Sequence, residues 1–356
     1  MGRWETKSLS GEPLFAASNS GKGFFSFYED VFGRRELERR YLIKGGPGTG
    51  KNRLLQRVAE HVSEGGHTVE YYRCASDPDS LDGLVIDGRI AVIDATAPHA
   101  LDAELPGARD EIVNLGVFWD SEALAARKEE IRALTEKKRA CYARGYRLLA
   151  ACDGLYADDR ALTHSVVKHE KLAHAVERHL SKIPHGDGFS LLPGLSDAVG
   201  MKGSVHLDSY EVKAEHLFVI DDIAHTGTLF LRALLTGGMQ KECAMRVSYH
   251  PIHVGEPDAV YFCHTGDCFV IGKGELPAGK EITHINMKRF VDVDGLRGIR
   301  SKLRMNGRMY DALLDAAEDT LREAGRHHFA LESIYMSCMD FDAQNRFVRS
   351  FCERIL

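Results

Sequence analysis

The run Gly45, Gly46, Pro47, Gly48, Thr49, Gly50, Lys51 and Asn52 is the stretch whose residue types and spacing state a chemistry. It matches G-x-x-x-x-G-K, the spelling of a phosphate-binding loop. A polyphosphate needs several donors at short range and no side chain in the way. Glycines let the backbone curl so that successive N–H groups converge at the positive end of the following helix. Lys51 is spaced to reach the outer phosphates. The next residue is ordinarily Ser or Thr, whose hydroxyl holds Mg²⁺. Here it is Asn52, whose amide oxygen sits on a longer side chain, and a small cation tolerates little misplacement. The run therefore speaks for binding ATP, or another nucleoside triphosphate, more directly than for hydrolysis.

A second candidate is Asp94, at the end of the apolar run 90–94. A buried strand ending in a carboxylate is how a phosphate-loop enzyme places an Asp beside its Mg²⁺. Lys51 and Asp94 are thus the catalytic candidates, and Asn52 and Asp94 the candidate metal ligands. His99 follows at the strand's mouth and reads equally as a group that positions the terminal phosphate and as a turn cap. Asp77, Asp79 and Asp82 form an acidic, turn-rich segment, suited to a small-molecule acceptor or a second cation, or to capping and turn formation alone. In the second half His250, His253, Cys263, His264 and Cys268 offer ligand types for zinc, against the plainer reading of unrelated residues on neighbouring strands.

These residues need elements to hold them. Residues 40–44 read as a buried strand before the loop, and Leu54, Leu55, Val58, Ala59 and Val62 recur at helical spacing after it. Residues 68–74 read as a further strand. From residue 121 the chain becomes charged and amphipathic, with Leu124, Ile131, Leu134, Cys141, Leu148 and Cys152 as the apolar seam. Lys138 and Gly145 interrupt that seam, which predicts a helical hairpin packed on the sheet, completed by a helical run over 165–180.

The second half repeats the first. Gly21-Lys22-Gly23-Phe24 returns as Gly186-Asp187-Gly188-Phe189, Tyr41-Leu42-Ile43 as Phe218-Val219-Ile220, Thr49-Gly50 as Thr226-Gly227, and Glu104-Leu105-Pro106 as Glu275-Leu276-Pro277. The expected fold is α/β: tandem P-loop NTPase-like domains over 1–178 and 179–356, each a mostly parallel sheet with flanking helices followed by a helical hairpin, with an insertion around 201–215. The second copy is degenerate. Asp222, Ile223 and His225 stand where the first has Gly45, Gly46 and Gly48, and Thr228 stands for Lys51. Side chains and negative charge there oppose a polyphosphate. Arg232 or His225, beside this relic, is a candidate to reach across to the first site in the manner of an arginine finger.

A length of 356 residues fits two such domains, and a net charge of −6 makes nucleic acid an unlikely partner. The basic run Arg34, Arg35, Arg39 and Arg40 is interleaved with Glu36 and Glu38 and reads as a solvated face. The eight cysteines are scattered singly. The first residues lack a secretory apolar core, Lys7 stands where a myristoylation signal wants Ser or Thr, and no apolar run spans a bilayer. A reduced, cytoplasmic protein with no membrane partner is expected.

Taken together, the run 44–51, Ser76-Asp77-Pro78-Asp79-Ser80-Leu81-Asp82-Gly83, Asp94-Ala95-Thr96-Ala97-Pro98-His99 and Asn114-Leu115-Gly116-Val117-Phe118-Trp119-Asp120 resemble the successive motifs of an uncharacterised bacterial family of double phosphate-loop ATPases. The resemblance implies tandem P-loop domains and ATP binding, and no particular reaction. Asn52 and the degenerate second loop depart from the family pattern. Three functions follow as expectations: an ATP-binding protein with weak or conditional ATPase activity at one site, a small-molecule phosphotransferase, or a non-hydrolysing switch in which nucleotide sets the arrangement of the halves or engages a protein partner.

Overall fold

The computed structural model describes residues 13–34, 36–273 and 276–356. Met1, Gly2 and Lys7 of the N-terminal reading, Arg35 of the basic run and Glu275 of the repeat lie outside the described residues. The first half contains β1 (Pro13–Phe15), β2 (Ala17–Ser20), β3 (Gly23–Ser26), β4 (Arg39–Lys44), α1 (Lys51–Glu64), β5 (Val69–Arg73), β6 (Leu81–Ile86), β7 (Ile90–Asp94), β8 (Asp110–Asn114), α2 (Ser121–Ala126), α3 (Lys128–His164) and α4 (His169–Leu180). The second contains β9 (Ser190–Gly194), β10 (Asp197–Gly200), β11 (Gly203–His206), α5 (Ser209–Lys213), β12 (His216–Asp221), α6 (Thr226–Gln240), β13 (Ala244–Tyr249), β14 (Pro257–Phe262), β15 (Asp267–Ile271), β16 (Ile282–Asn286), α7 (Val293–Met336) and α8 (Phe341–Arg354).

Each half forms a six-stranded sheet, and the two orders correspond strand for strand: β1-β5-β6-β7-β4-β8 and β9-β13-β14-β15-β12-β16. In the first sheet β4 pairs in parallel with β7 and β8, β1 in parallel with β5, and β6 runs antiparallel to both its neighbours. Small hairpins, β2-β3 and β10-β11, accompany the sheets at matching places. The duplication inferred from short matches is thus a duplication of topology, but two parts of that reading are corrected. Gly21-Lys22-Gly23 forms the β2-β3 turn, whose counterpart is the β10-β11 turn Met201-Lys202-Gly203 and not Gly186-Asp187-Gly188. The residues from 201 onward, expected as an insertion, include the strand β11 that matches β3.

Alternation along the central strands sets the layers. Leu42 of β4 faces inward to a core shared with Leu217 and Val219 of β12, while Tyr41 and Ile43 face outward to Leu54, Leu55 and Val58 of α1. The outer face of the second sheet packs against Phe230, Leu231 and Leu234 of α6. The result is helix, sheet, sheet, helix, with a long helical pair running alongside.

That pair corrects the expected hairpins. α3 is one unbroken helix of 37 residues and α7 one of 44 residues. They run antiparallel: Arg127 meets Ser337 at one end, and Asn306 bonds Asp158 and Asp159 toward the other. Gly145 does not break the seam. A methyl group there would sit 3.2 Å from Leu321 Cδ2, so glycine allows the two helices to close up. Each long helix carries the chain to the opposite half, so the last helices are exchanged. Leu172, Ala175 and Val176 of α4 join the core around α6, and Val348, Phe351 and Cys352 of α8 join the core around α1.

Arg40 overturns the solvated reading of the basic run. It is fully buried, with Nε 2.7 Å from Asp110 Oδ1, Nη2 2.8 Å from Asp110 Oδ2, and Nη1 donating to the Phe32 carbonyl. The guanidinium holds the Asp110 carboxyl far below the usual carboxylate range. Arg34 and Arg39 do stay on the surface side, paired with Asp30 and Glu111.

A second ionic clamp ties β10 and β11 to α5. His206 Nδ1 lies 2.9 Å from Asp197 and Nε2 lies 3.3 Å from Glu211, and hydrogen bonds to these carboxylates push the imidazole up to about 10. A raised histidine stabilises the fold fully below its unfolded value of about 6.5, and that contribution is lost as pH rises through about 10. Denaturant melts at pH 6.5 and pH 10 are therefore expected to differ more for the wild type than for His206→Gln. Equal pH sensitivity in the two proteins would exclude the clamp. Among the described residues no helix is long and apolar enough to cross a membrane.

Candidate functional site

The glycine run leaves the C-terminal end of β4 and enters α1. Gly48 and Gly50 take φ of +69° and +77°, the left-handed region that a side chain strains. Thr49 Oγ1 closes the turn by donating to the Gly46 carbonyl at 2.8 Å. The backbone N–H groups from Gly48 to Arg53 have no hydrogen-bond acceptor among the described residues. They stand at the positive end of a 14-residue helix, which favours an anion.

Lys51 Nζ donates to the carbonyls of Gly46 at 2.8 Å and Gly45 at 3.3 Å, and lies 3.7 Å from Asp94 Oδ2. Asp94 sits beside the loop, as β4 and β7 are parallel neighbours with Ile43 opposite Asp94. Its Oδ1 accepts from the Thr96 amide and hydroxyl, which leaves Oδ2 toward the lysine. Asn52 is engaged elsewhere: its Oδ1 accepts the Leu81 N–H at 3.0 Å and fixes the start of β6 against α1. Gly45, Gly46, Pro47, Gly48, Thr49, Gly50, Lys51 and Asp94 are thus brought together, and the amide oxygen of Asn52 points to the sheet.

The acidic segment divides. Asp77 and Asp79 pair with Lys202 from the β10-β11 turn. Asp82 instead points into the corner beside Asp94, where His99 Nε2 lies 3.7 Å from Asp82 Oδ1 and both side chains are buried. Tyr28 stacks on the His99 ring at 4.9 Å and Phe24 lies at 5.1 Å. Burial foremost pushes the Asp82 carboxyl above the usual range. On the helical side, Lys138 of α3 is half-buried near the loop, and burial, then the charges of Arg139 and Lys51, lower its pKa.

The loop is covered by the far end of the chain. A Cβ on Gly48 would lie 2.5 Å from the Glu332 carbonyl oxygen, one on Gly46 would lie 2.9 Å from the Tyr335 ring, and one on Gly50 would lie 2.6 Å from Gln344 Nε2. Gln344, buried at the start of α8, donates to the Thr49 carbonyl at 2.7 Å. These contacts were missed in the sequence because nearly 300 positions separate Gln344 from Thr49 and no local spacing marks them. The glycines therefore also serve close approach of α7. Gly48→Ala combines a left-handed φ with a backbone collision and is expected to cost about 2 kcal/mol or more in denaturant unfolding. Unchanged stability would mean that α7 is not seated on the loop.

The second half supplies an internal control. Thr226 Oγ1 donates to the Ile223 carbonyl at 2.8 Å, as Thr49 does to Gly46, and His225 takes φ +63° where Gly48 takes +69°. Here the helix N-terminus is filled by its own carboxylate: Asp222 accepts from Gly227 N at 2.6 Å, His225 N at 3.1 Å and the Thr226 hydroxyl at 3.3 Å. Arg232 pairs with Glu256 and the Gly255 carbonyl, and His225 faces Asp159 and Tyr156. Arg232 is thus committed within the second half and His225 to α3, and neither is paired with a residue of the first loop. What crosses to the first loop is α7 and α8. Of the proposed zinc ligands, His253 stacks on Tyr156 with His250 tilted against it, Cys268 is buried in the core between the sheets, and Cys263 is exposed. The groups whose ligand atoms do converge among the described residues are Asp82, Asp94 and His99, and Cys141, Glu323 and His327.

Comparisons with protein-family models, curated proteins and solved structures return no match for this chain.

Proposed function

We propose that the first half binds a nucleoside triphosphate, ATP being the reference ligand, through the run from Gly45 to Lys51, and that the second half binds none. The observation that carries this reading is the contrast between the two loops. The N–H groups from Gly48 to Arg53 lack an acceptor, with Lys51 beside them, whereas Asp222 occupies the corresponding donors of the second copy. A helix N-terminus that does not supply its own anion is suited to phosphate oxygens. Mg²⁺ would travel with the triphosphate, with Asp94 Oδ2 as the carboxylate nearest to Lys51. Calorimetry with ATP and Mg²⁺ is expected to give one site per chain, and no heat of binding at millimolar nucleotide would refute it.

Among the reactions weighed above, the seat of α7 and α8 on the loop favours a nucleotide-dependent switch. The Glu332 carbonyl of α7 packs against Gly48, and Gln344 holds the loop by its Thr49 carbonyl, so both helices touch the turn that would receive the phosphates. Binding therefore acts on the contact between the first loop and a helix that begins in the second half. Asn52, tied to Leu81, offers no evident substitute for the usual hydroxyl ligand, which suits binding without rapid turnover. Hydrogen exchange in α8 is expected to rise on addition of ATP. Protection that stays the same or increases would reject the switch while leaving nucleotide binding intact.

A further inference from the structure

The corner beside Lys51 contains, next to Asp94, two buried side chains, Asp82 and His99, that the phosphate loop does not explain. We infer that Asp82, Asp94 and His99 form a site for a divalent transition cation, with Mn²⁺ the best match, bound directly by one oxygen of each carboxylate and one imidazole nitrogen. Their ligand atoms lie within 4.8 Å of one another. Donors about 2.1 Å from one octahedral ion lie about 3 to 4.2 Å apart, so small side-chain adjustments bring the three onto a common centre.

The histidine is the independent pointer. His99 is 8% exposed in its side chain, and its Nδ1 is buried without a hydrogen-bond partner. Nε2, the nitrogen facing Asp82, stands 3.7 Å from Oδ1 and beyond hydrogen-bond reach, so neither nitrogen of this buried ring is hydrogen-bonded among the described residues, an arrangement that costs free energy unless something ligates the ring. The ring is held by stacking on Tyr28, so its direction is fixed by packing. Of Asp94, Oδ2 is the oxygen not already taken by Thr96.

The second half shows what such a corner requires. Gly83 of β6 lies opposite Ile93, and Ala259 of β14 lies opposite Val270, so Asp82 and Asp258 precede equivalent positions. Asp258 is neutralised by the Lys273 ammonium at 2.7 Å, which also reaches Asp197 at 3.0 Å. Lys273 follows Ile271 by the interval at which Thr96 follows Asp94. In the first half that position carries no charge, Lys51 approaches Asp94, and the group facing Asp82 is His99. The second copy therefore fills both charge sites with side chains, Asp222 for the anion and Lys273 for the cation. In the first copy no side-chain carboxylate takes the loop donors, and the ammonium of Lys51 stands 3.7 Å from Asp94 without neutralising Asp82.

Two carboxylates with one imidazole suit Mn²⁺ better than Mg²⁺, which prefers an all-oxygen octahedron. The cation would lie next to the triphosphate, and only that use of it rests on the proposed nucleotide site. The test uses the full chain, freed of metal and titrated with Mn²⁺ alone. Electron paramagnetic resonance is expected to show one bound Mn²⁺ per chain, with spin-echo modulation from a directly bonded ¹⁴N. His99→Ala should abolish that modulation and weaken binding at least tenfold, and Asp82→Asn should weaken it at least tenfold. No stoichiometric uptake up to millimolar Mn²⁺, or bound Mn²⁺ without nitrogen modulation, overturns the site, and both readouts need only the wild type. A parallel titration with ATP in chelator separates the two ideas: Mn²⁺ binding that fails while nucleotide binds removes the metal site alone, and the reverse removes the nucleotide site alone.

Discussion

Lys51→Ala is expected to weaken ATP binding by roughly 100-fold or more, which corresponds to about 3 kcal/mol. The size follows from what the ammonium is positioned to do. It stands 3.7 Å from Asp94 at the mouth of the loop and is only 14% exposed in its side chain, so its bonds to phosphate oxygens would form in a partly dehydrated corner. A charge-assisted hydrogen bond there is worth about 1.5–3 kcal/mol, and the lysine can make more than one. In the absence of nucleotide the same group bonds the Gly45 and Gly46 carbonyls, so the variant must first be shown folded. Equal ATP affinity of the wild type and a folded Lys51→Ala protein would sink the assignment. Thr228, the residue paired with Lys51 in the second copy, gives the matching negative control, since its substitution should leave ATP affinity unchanged.

The largest loss of stability is expected from Arg40→Met. Methionine fills much of the volume but leaves the Asp110 carboxylate, wholly buried, without its main partner. Removing one member of a buried ion pair costs about 3–5 kcal/mol because the other charge stays out of water. Arg109 and the backbone N–H groups of Glu104 and Leu105 also serve Asp110, which places the expected cost near about 3 kcal/mol. The Phe32 carbonyl loses its donor as well. Urea unfolding measures the effect, and a loss below about 1 kcal/mol would show that Arg109 alone satisfies the carboxylate. In the double variant Arg40→Met with Asp110→Asn, much of the loss should be recovered, because no unpaired charge then remains.

Much of this was open to reading in the chain itself. Glycines at 45, 46, 48 and 50 followed by Lys51 place the turn between β4 and α1, because the left-handed conformations at Gly48 and Gly50 are ones that other residues resist. The apolar run ending in Asp94 places that carboxylate beside the loop, because a parallel strand next to β4 must end at the same edge. The repeat was legible through Tyr41-Leu42-Ile43 with Phe218-Val219-Ile220 and through Thr49 with Thr226, the latter upheld by the same hydroxyl-to-carbonyl bond in both halves, whereas the match of Gly21-Lys22-Gly23-Phe24 to Gly186-Asp187-Gly188-Phe189 joined non-equivalent turns.

The misreadings have a common cause. Arg40 looked solvated because its neighbours in the chain are charged, yet β4 alternates its faces, and Arg40 lies on the buried one with Asp110 on β8 as its partner. Lys138 and Gly145 looked like breaks because a seam was sought within one helix, whereas the seam of α3 is completed by α7. Asn52 looked like a weakened metal ligand because its position was judged by the motif, while the structure gives its amide to Leu81.

Local spacing thus determined β4, β5 and β7, the glycine turn, the duplication and the charge of each loop, since these depend on backbone preference and on residues within a few positions of one another. Tertiary structure alone decided which half each last helix completes, that α7 and α8 sit on the first loop, and that Asp82 and His99 meet beside Asp94. Those contacts join residues far apart in the chain, and they are selected by burial and close approach, for which one-dimensional spacing holds no period. For the glycine run itself, the residues specify a shape that exposes a row of N–H groups, and the fold places a lysine, a carboxylate corner and a helix from the other half around it.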